Sequence, residues 1–154
     1  MPSTKTGEEI IACIRSFCGE DNHFFEAVAA KIWEMSAAEP IEYQLTQRSR
    51  DGGRDATGEF FIGPNSDRIR MSFVLEAKNY SATNSVGVKE MARLISRIRH
   101  REFGIIVTTS YVADQAYHEV RSDEHPIVII SGGDIVEILA RNQITTTGDC
   151  INWL

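Results

Sequence analysis

Asp55, Glu76 and Lys78 are the residues whose types and spacing suit chemistry in this sequence. Glu76 and Lys78 close an apolar run that begins at Met71. Side chains alternate along an extended chain, so this carboxylate and ammonium share one face while Ala77 points to the other. Alone, a Glu-x-Lys ending also suits a surface ion pair, worth about 0 to 1 kcal/mol. Asp55, however, follows the Gly52-Gly53 turn and precedes Glu76 by twenty intervening residues, room for a strand, a turn and a return strand. Such a return brings the two carboxylates together. Two carboxylates and a backbone carbonyl facing a pocket make a hard oxygen site of the kind Mg²⁺ accepts while keeping waters for exchange. An ammonium beside it can position a water or stabilise charge near a phosphate, which is the equipment of metal-assisted phosphodiester hydrolysis. Asp51 competes with Asp55, but its place before two glycines is equally that of a turn residue.

The elements that must position these residues follow from the apolar spacing. Glu8 to Phe17 and Phe24 to Ser36 have helical periodicity, the second through Phe24, Phe25, Val28, Ile32 and Met35. Pro40 ends that region, and Ile41 to Gln47 alternates as a half-buried strand does. Phe60 to Ile62 reads as a second strand, Gly63 to Asp67 as a turn, and Met71 to Lys78 as a third strand. Val88 to Arg101 is expected to be a helix, with Val88, Met91, Ala92, Ile95 and Ile98 as its apolar stripe. Phe103 to Thr109 and Ile127 to Ile130 are continuous β-branched runs, as in strands covered on both faces. Ala113 to Arg121 and Asp134 to Ala140 read as helices, with Gly132-Gly133-Asp134 as a turn into the N-cap of the second. This order predicts a mixed sheet between helical layers.

At 154 residues with 42% apolar content, the chain suits one domain with a continuous core. Cys13, Cys18 and Cys150 are odd in number and form no CxxC pair, which favours a reducing compartment over a zinc site. The N-terminal stretch carries acidic residues and no uninterrupted apolar run, so neither a signal peptide nor a membrane span is expected, and the chain reads as cytoplasmic. The formal charge of −6 is unevenly spread: Arg48 to Arg101 holds eleven Lys or Arg against six Asp or Glu, and the rest holds five against sixteen. A basic middle with acidic flanks can present a positive face to a polyanion, or be a solvated surface. Lys89, Arg93, Arg97 and Arg101 recur at four-residue intervals, a basic ridge on the expected helix that suits phosphates along DNA. Arg48, Arg50, Arg54, Arg68 and Arg70 flank the proposed metal site. His100, His118 and His125 have no ligand spacing and are taken as surface or loop residues.

With "DGGRD", "FVLEAKNY", "FGIIVTTSYVADQA", "IVIISGGDIVEIL" and the "FFEAVAAKIWEM" helix, the sequence resembles the Mrr-like restriction endonucleases of the PD-(D/E)xK nuclease superfamily. The resemblance covers about Phe24 to Leu139. It implies an α/β fold, a restriction-endonuclease-like mixed β-sheet flanked by helices on both sides, in a single domain over residues 1–154 with its core at about 24–140. It makes Asp55 and Glu76 metal ligands, the main-chain oxygen of Ala77 a third, and Lys78 the catalytic lysine. Arg54 stands where the superfamily name has proline, and Glu76 where many Mrr-like members have glutamine. Glu26 corresponds to an acid of the first core helix that can reach a second metal, or is a solvent-facing helix glutamate.

The expectation is a Mg²⁺-dependent endonuclease on double-stranded DNA, with Mn²⁺ as a substitute. Arg50, Arg54, Lys89, Arg93, Arg97 and Arg101 are expected at the DNA. A homodimer at least on DNA, and a separate or fused recognition domain of a modification-dependent system, are the partners implied, with no membrane. A repair or Holliday-junction nuclease is the alternative within the fold. A non-catalytic DNA-binding or interaction module is the alternative outside it.

Overall fold

The computed structural model describes residues 1–19, 22–37, 41–46 and 55–154. Expectations that fall on Pro40, Gln47, Arg48, Arg50, Asp51, Gly52, Gly53 and Arg54 lie outside the described residues. The chain begins with α1 (Lys5–Cys18) and α2 (Asn22–Ser36), followed by β1 (Glu42–Leu45), β2 (Ala56–Ile62) and β3 (Ile69–Lys78). It continues with β4 (Ser85–Val86), α3 (Val88–Ile95), β5 (Glu102–Thr108), β6 (Tyr111–Val112) and α4 (Asp114–Ser122), and ends with β7 (Ile127–Ile130), α5 (Gly132–Arg141) and α6 (Thr147–Trp153). Among the described residues no helix is long and apolar enough to cross a membrane.

The principal sheet has the order β1-β2-β3-β5-β7, antiparallel from β1 to β3 and parallel from β3 to β7. The expected mixed sheet is therefore formed, and both faces are covered. Phe73, Leu75, Ala77, Ile105 and Val107 join α1, α2, α5 and α6 in one core, while Val74 and Ile106 join α3 and α4 in another. This is the alternation of β3 and β5 written out in packing. Trp33 of α2 packs 5.9 Å from the rings of Phe60 and Phe73 and 6.0 Å from Phe103. Those tilted and edge-to-face contacts fix the roll of α2 against the sheet.

Three local expectations need correction. The helix expected to run to Arg101 ends at Ile95. Beyond it, i to i+3 turns take over, with Arg97 N–H donating to Leu94 O and Ile98 N–H to Ile95 O, and Arg101 adopts φ 63°. The buried stripe of α3 is Met91 and Leu94, whereas Ala92 is exposed, because Leu94 fits over Gly104 of β5. The N-cap of α5 is Ser131 instead of Asp134; the Ser131 N–H and Oγ–H both donate to Asp134 Oδ2, at 2.8 and 2.6 Å. Gly132 then lies against the main chain of β5's end, where a Cβ would come within 2.9 Å of Thr109 O.

Candidate active site

The register of β2 against β3 decides which charged groups meet. Ala56 pairs with Leu75, so the next residue out on each strand, Asp55 and Glu76, stand across from one another at the sheet's end. Asp55 is held there by its main chain, whose N–H donates to Leu75 O at 3.1 Å and whose C=O accepts from Thr46 N–H at 3.1 Å. Its Oδ2 accepts the Ala77 N–H at 2.6 Å. The strand, turn and return strand expected from the sequence thus bring the two carboxylates together.

Glu76 lies on the α3 side of β3 and is fully buried. Arg97 Nη1 donates to its Oε1. Its Oε2 has Lys78 Nζ at 3.3 Å and Arg93 Nη2 at 3.6 Å but makes no hydrogen bond among the described residues. Lys78 Nζ also donates to Ala77 O at 3.2 Å, so one ammonium sits between the two oxygens expected to face a cation. Glu76 and Lys78 share a face and Ala77 packs into the opposite core, as alternation requires.

The end of β3 is fastened from β5. Thr108 Oγ1 donates to Lys78 O at 3.0 Å, Thr109 Oγ1 to Tyr80 O at 2.8 Å, and Ser110 Oγ to Asn84 O. All three residues are fully buried, so each hydroxyl satisfies a carbonyl that would otherwise be stranded where the strand leaves the sheet. The "VTTS" run is therefore a set of ties behind the charged strand end.

Asp55, Ala77 and Lys78 open on a cavity of about 300 Å³ between the start of α2 and α3, lined also by Glu26, Asn79, Tyr80, Glu90 and Arg93; Glu76, fully buried, is not part of its lining. Glu26, for which the sequence allowed a solvent-facing place, lines this cavity, with Oε2 at 2.9 Å from His23 Nδ1. Tyr80 and Glu90 did not emerge from the sequence; the Tyr80 hydroxyl lies 3.5 Å from Glu90 Oε1, and Glu90 Oε2 accepts the Gly87 N–H at 3.0 Å. The signal available for Glu90 was its position three residues after a helix-starting glycine. Burial, with Glu90 beside it, pushes the Tyr80 phenol up, which keeps it a neutral donor. Burial likewise pushes the Asp55 carboxyl up from 3.8 to about 6; Glu26 and Glu76 add to the rise, and the Ala77 N–H and Lys78 oppose it.

The basic ridge is not formed as expected, since α3 stops before Arg97. Arg97 turns inward onto Glu76 and is largely buried, while Arg93 stands at the cavity rim and is half exposed. Lys89 is on α3, and Arg101 is exposed in the turn before β5. Arg50 and Arg54 lie outside the described residues.

The donor set suits a divalent ion with affinity for oxygen. Among the described residues no three His, Cys, Asp or Glu side chains converge to hold an ion by themselves. Two carboxylates and a carbonyl, with a buried Glu76 oxygen lacking a hydrogen bond, are what an ion that keeps several waters requires.

Comparison with known proteins bears on the fold and the family. No curated protein sequence matches the chain. The DNA modification-dependent restriction endonuclease AspBHI superposes with a TM-score of 0.93 at 43% identity, over 99% of this chain and 40% of its own. The MspJI restriction endonuclease, solved in complex with a 27-mer oligonucleotide, superposes with a TM-score of 0.78 at 27% identity, over 99% of this chain and 36% of its own. AF1548, a protein of unknown function, shares the fold at 13% identity and a TM-score of 0.52, over 82% of this chain and 81% of its own. This chain thus spans less than half the length of the two restriction enzymes. The sequence model of the restriction endonuclease catalytic domain of Mrr type matches residues 19–139, a segment that takes in Asp55, Glu76 and Lys78, and the chain belongs to that family.

Proposed function

We propose that this chain is the DNA-cutting domain of a modification-dependent restriction system and hydrolyses phosphodiesters with the help of a divalent cation, Mg²⁺ by preference and Mn²⁺ as a substitute. The observation that carries the reading is the meeting of Asp55, Glu76 and Lys78 at one strand end, beside a polar cavity that Asp55 and Lys78 line, with a buried Glu76 oxygen that lacks a hydrogen bond among the described residues. Asp55, Glu76 Oε2 and the Ala77 carbonyl would hold the ion, and Glu26 is in place to reach a second. The ion, when bound, supplies Lewis-acid stabilisation of charge on the phosphate oxygens.

The chain's own residues do the rest. The Ala77 N–H fixes the Asp55 carboxylate, and the hydroxyls of Thr108 and Thr109 hold the main chain on which Lys78 stands. Lys78 Nζ, on a largely buried side chain and already between two oxygens, orients the attacking water and balances the negative charge that develops on the phosphate. Lys89, Arg93 and Arg101 supply phosphate contacts that position a duplex without reading its sequence. Because one such site cuts one strand, two copies acting on one duplex are the simplest route to a double-strand break. AspBHI is described as modification-dependent, and MspJI was solved with an oligonucleotide; the substrate class proposed here rests on likeness to both. An enzyme of this kind would meet its DNA in the cytoplasm.

Supercoiled plasmid, methylated and unmethylated, incubated with Mg²⁺ and then with EDTA, tests the reading. Nicked and linear product that EDTA abolishes is expected. DNA retention without cleavage under any divalent ion would instead support a binding module.

A further inference from the structure

Glu76 is surrounded by more positive charge than one carboxylate needs. Lys78, Arg93 and Arg97 all reach it, and they differ in how firmly they are held. The side chains of Lys78 and Arg97 are only 13% and 14% exposed, whereas that of Arg93 is 53% exposed. Arg97 makes a hydrogen bond, to Oε1. Arg93 makes none to Glu76 and lies 3.6 Å from Oε2, the oxygen that lacks a hydrogen bond. Arg93 also lines the cavity.

Resting on the metal-site reading above, we propose that Arg97 is the positioning residue that orients Glu76, and that Arg93 is an exchangeable counter-charge over Oε2, so that DNA and the divalent cation bind cooperatively. A cation entering beside Oε2 meets the charge of Arg93. A DNA phosphate arriving at the rim offers that guanidinium a paired, charge-assisted partner and draws it from Glu76. Oε2 is then left to the cation. By linkage, whatever the phosphate gains for the cation, the cation gains for DNA. Arg97 has no such exchange open to it, because leaving would strand a buried carboxylate oxygen. It therefore fixes which Glu76 oxygen is turned toward Lys78 and Arg93.

Calorimetric titration of the metal-free protein with Ca²⁺, with and without a DNA duplex carrying 5-methylcytosine, separates the two roles. Wild type, Arg93→Gln, Arg97→Gln, Arg97→Lys and Asp55→Asn are compared at low salt. Without DNA, Arg93→Gln is expected to bind Ca²⁺ about tenfold tighter than wild type, the order expected on removing a unit charge a few ångströms from a divalent ion in a water-like dielectric. The duplex should tighten Ca²⁺ binding in wild type and leave it nearly unchanged in Arg93→Gln. Arg97→Gln should bind Ca²⁺ more weakly, with partial recovery in Arg97→Lys, which keeps the charge and a donor. Should Arg97→Gln fail to fold, the Arg93 and Arg97→Lys arms still decide. Equal Ca²⁺ affinity in wild type and Arg93→Gln, with equal enhancement by DNA, overturns the proposal while Ca²⁺ binding lost in Asp55→Asn keeps the metal site. Ca²⁺ binding absent from every protein, or unaffected by Asp55→Asn, overturns the metal-site reading and this proposal together.

Discussion

Replacing Asp55 with asparagine should stabilise the metal-free protein while removing its activity. Burial raises the Asp55 carboxyl from 3.8 to about 6. A carboxyl that binds its proton more tightly folded than unfolded contributes stability that is fully present below pH 3.8 and is lost as the pH rises through 6. At about 1.4 kcal/mol per pH unit, the interval from 3.8 to about 6 corresponds to roughly 3 kcal/mol of cost at pH 8 for holding the charged form. That is an upper value, since the carboxyl also meets the water of the cavity. Asparagine is always neutral, and its Oδ1 can still accept the Ala77 N–H now bonded to Asp55 Oδ2. Asp55→Asn should therefore raise Tm at pH 8 in EDTA by several degrees, at about 2–4 °C per kcal/mol for a chain of this size. The gain should shrink between pH 6 and pH 4 and vanish below. Thermal melts of both proteins across this range in EDTA, repeated in Mg²⁺, are the assay. Mg²⁺ should stabilise wild type and not the variant. A variant equally or less stable at pH 8, or a difference that does not change with pH, would show that burial of the charged Asp55 carboxylate does not cost the fold stability.

Lys78→Ala should lose cleavage by orders of magnitude while gel-shift affinity for a duplex stays near wild type, because the ammonium faces the strand end while duplex affinity comes from the outer cations. Arg97→Gln should cost about 3 kcal/mol in urea unfolding, at the low end for breaking a buried pair because Lys78 and Arg93 still flank Glu76. Lys89→Ala with Arg101→Ala should weaken binding of all duplexes alike and flatten its salt dependence, by about 0.9 in the log–log slope for each phosphate no longer neutralised. Plasmid cleavage at low protein concentration should accumulate nicked circles that give way to linear product as concentration rises; linear product formed directly at every concentration would show that separate copies are not assembling on DNA.

The site was legible in the sequence where its geometry is local to one hairpin. Asp55 and Glu76 meet through an antiparallel register that a glycine turn and two apolar runs already imply, and Glu76 and Lys78 share a face by alternation alone. β7 matches the expected Ile127 to Ile130 because a continuous β-branched run suits a strand covered on both sides. Arg97 was misplaced because its partner lies 21 residues earlier and because no breaker marks the end of α3; Ser96 and Arg97 are acceptable in a helix, and the close approach of Leu94 and Ile98 to Gly104 of β5 is tertiary. Glu26 faces the cavity through the roll of α2 that Trp33 sets on Phe60, Phe73 and Phe103, a tertiary fact with no sequence period of its own. α6 escaped notice although Thr146 and Asp149 form its capping box, since Gly148 interrupts a segment of only seven residues. The two-residue strands β4 and β6 exist only by pairing with each other, and so carry no periodicity to read.

Whether the end of β3 holds a divalent cation for DNA hydrolysis can be read from anomalous diffraction of crystals grown with Mn²⁺. A Mn²⁺ peak is expected within coordination distance of an Asp55 carboxylate oxygen, Glu76 Oε2 and the Ala77 carbonyl, with Lys78 Nζ displaced from that carbonyl. Occupied Mn²⁺ sites elsewhere, for example beside Glu42 and Glu59, which pair across β1 and β2, with none at Asp55 and Glu76, would contradict it.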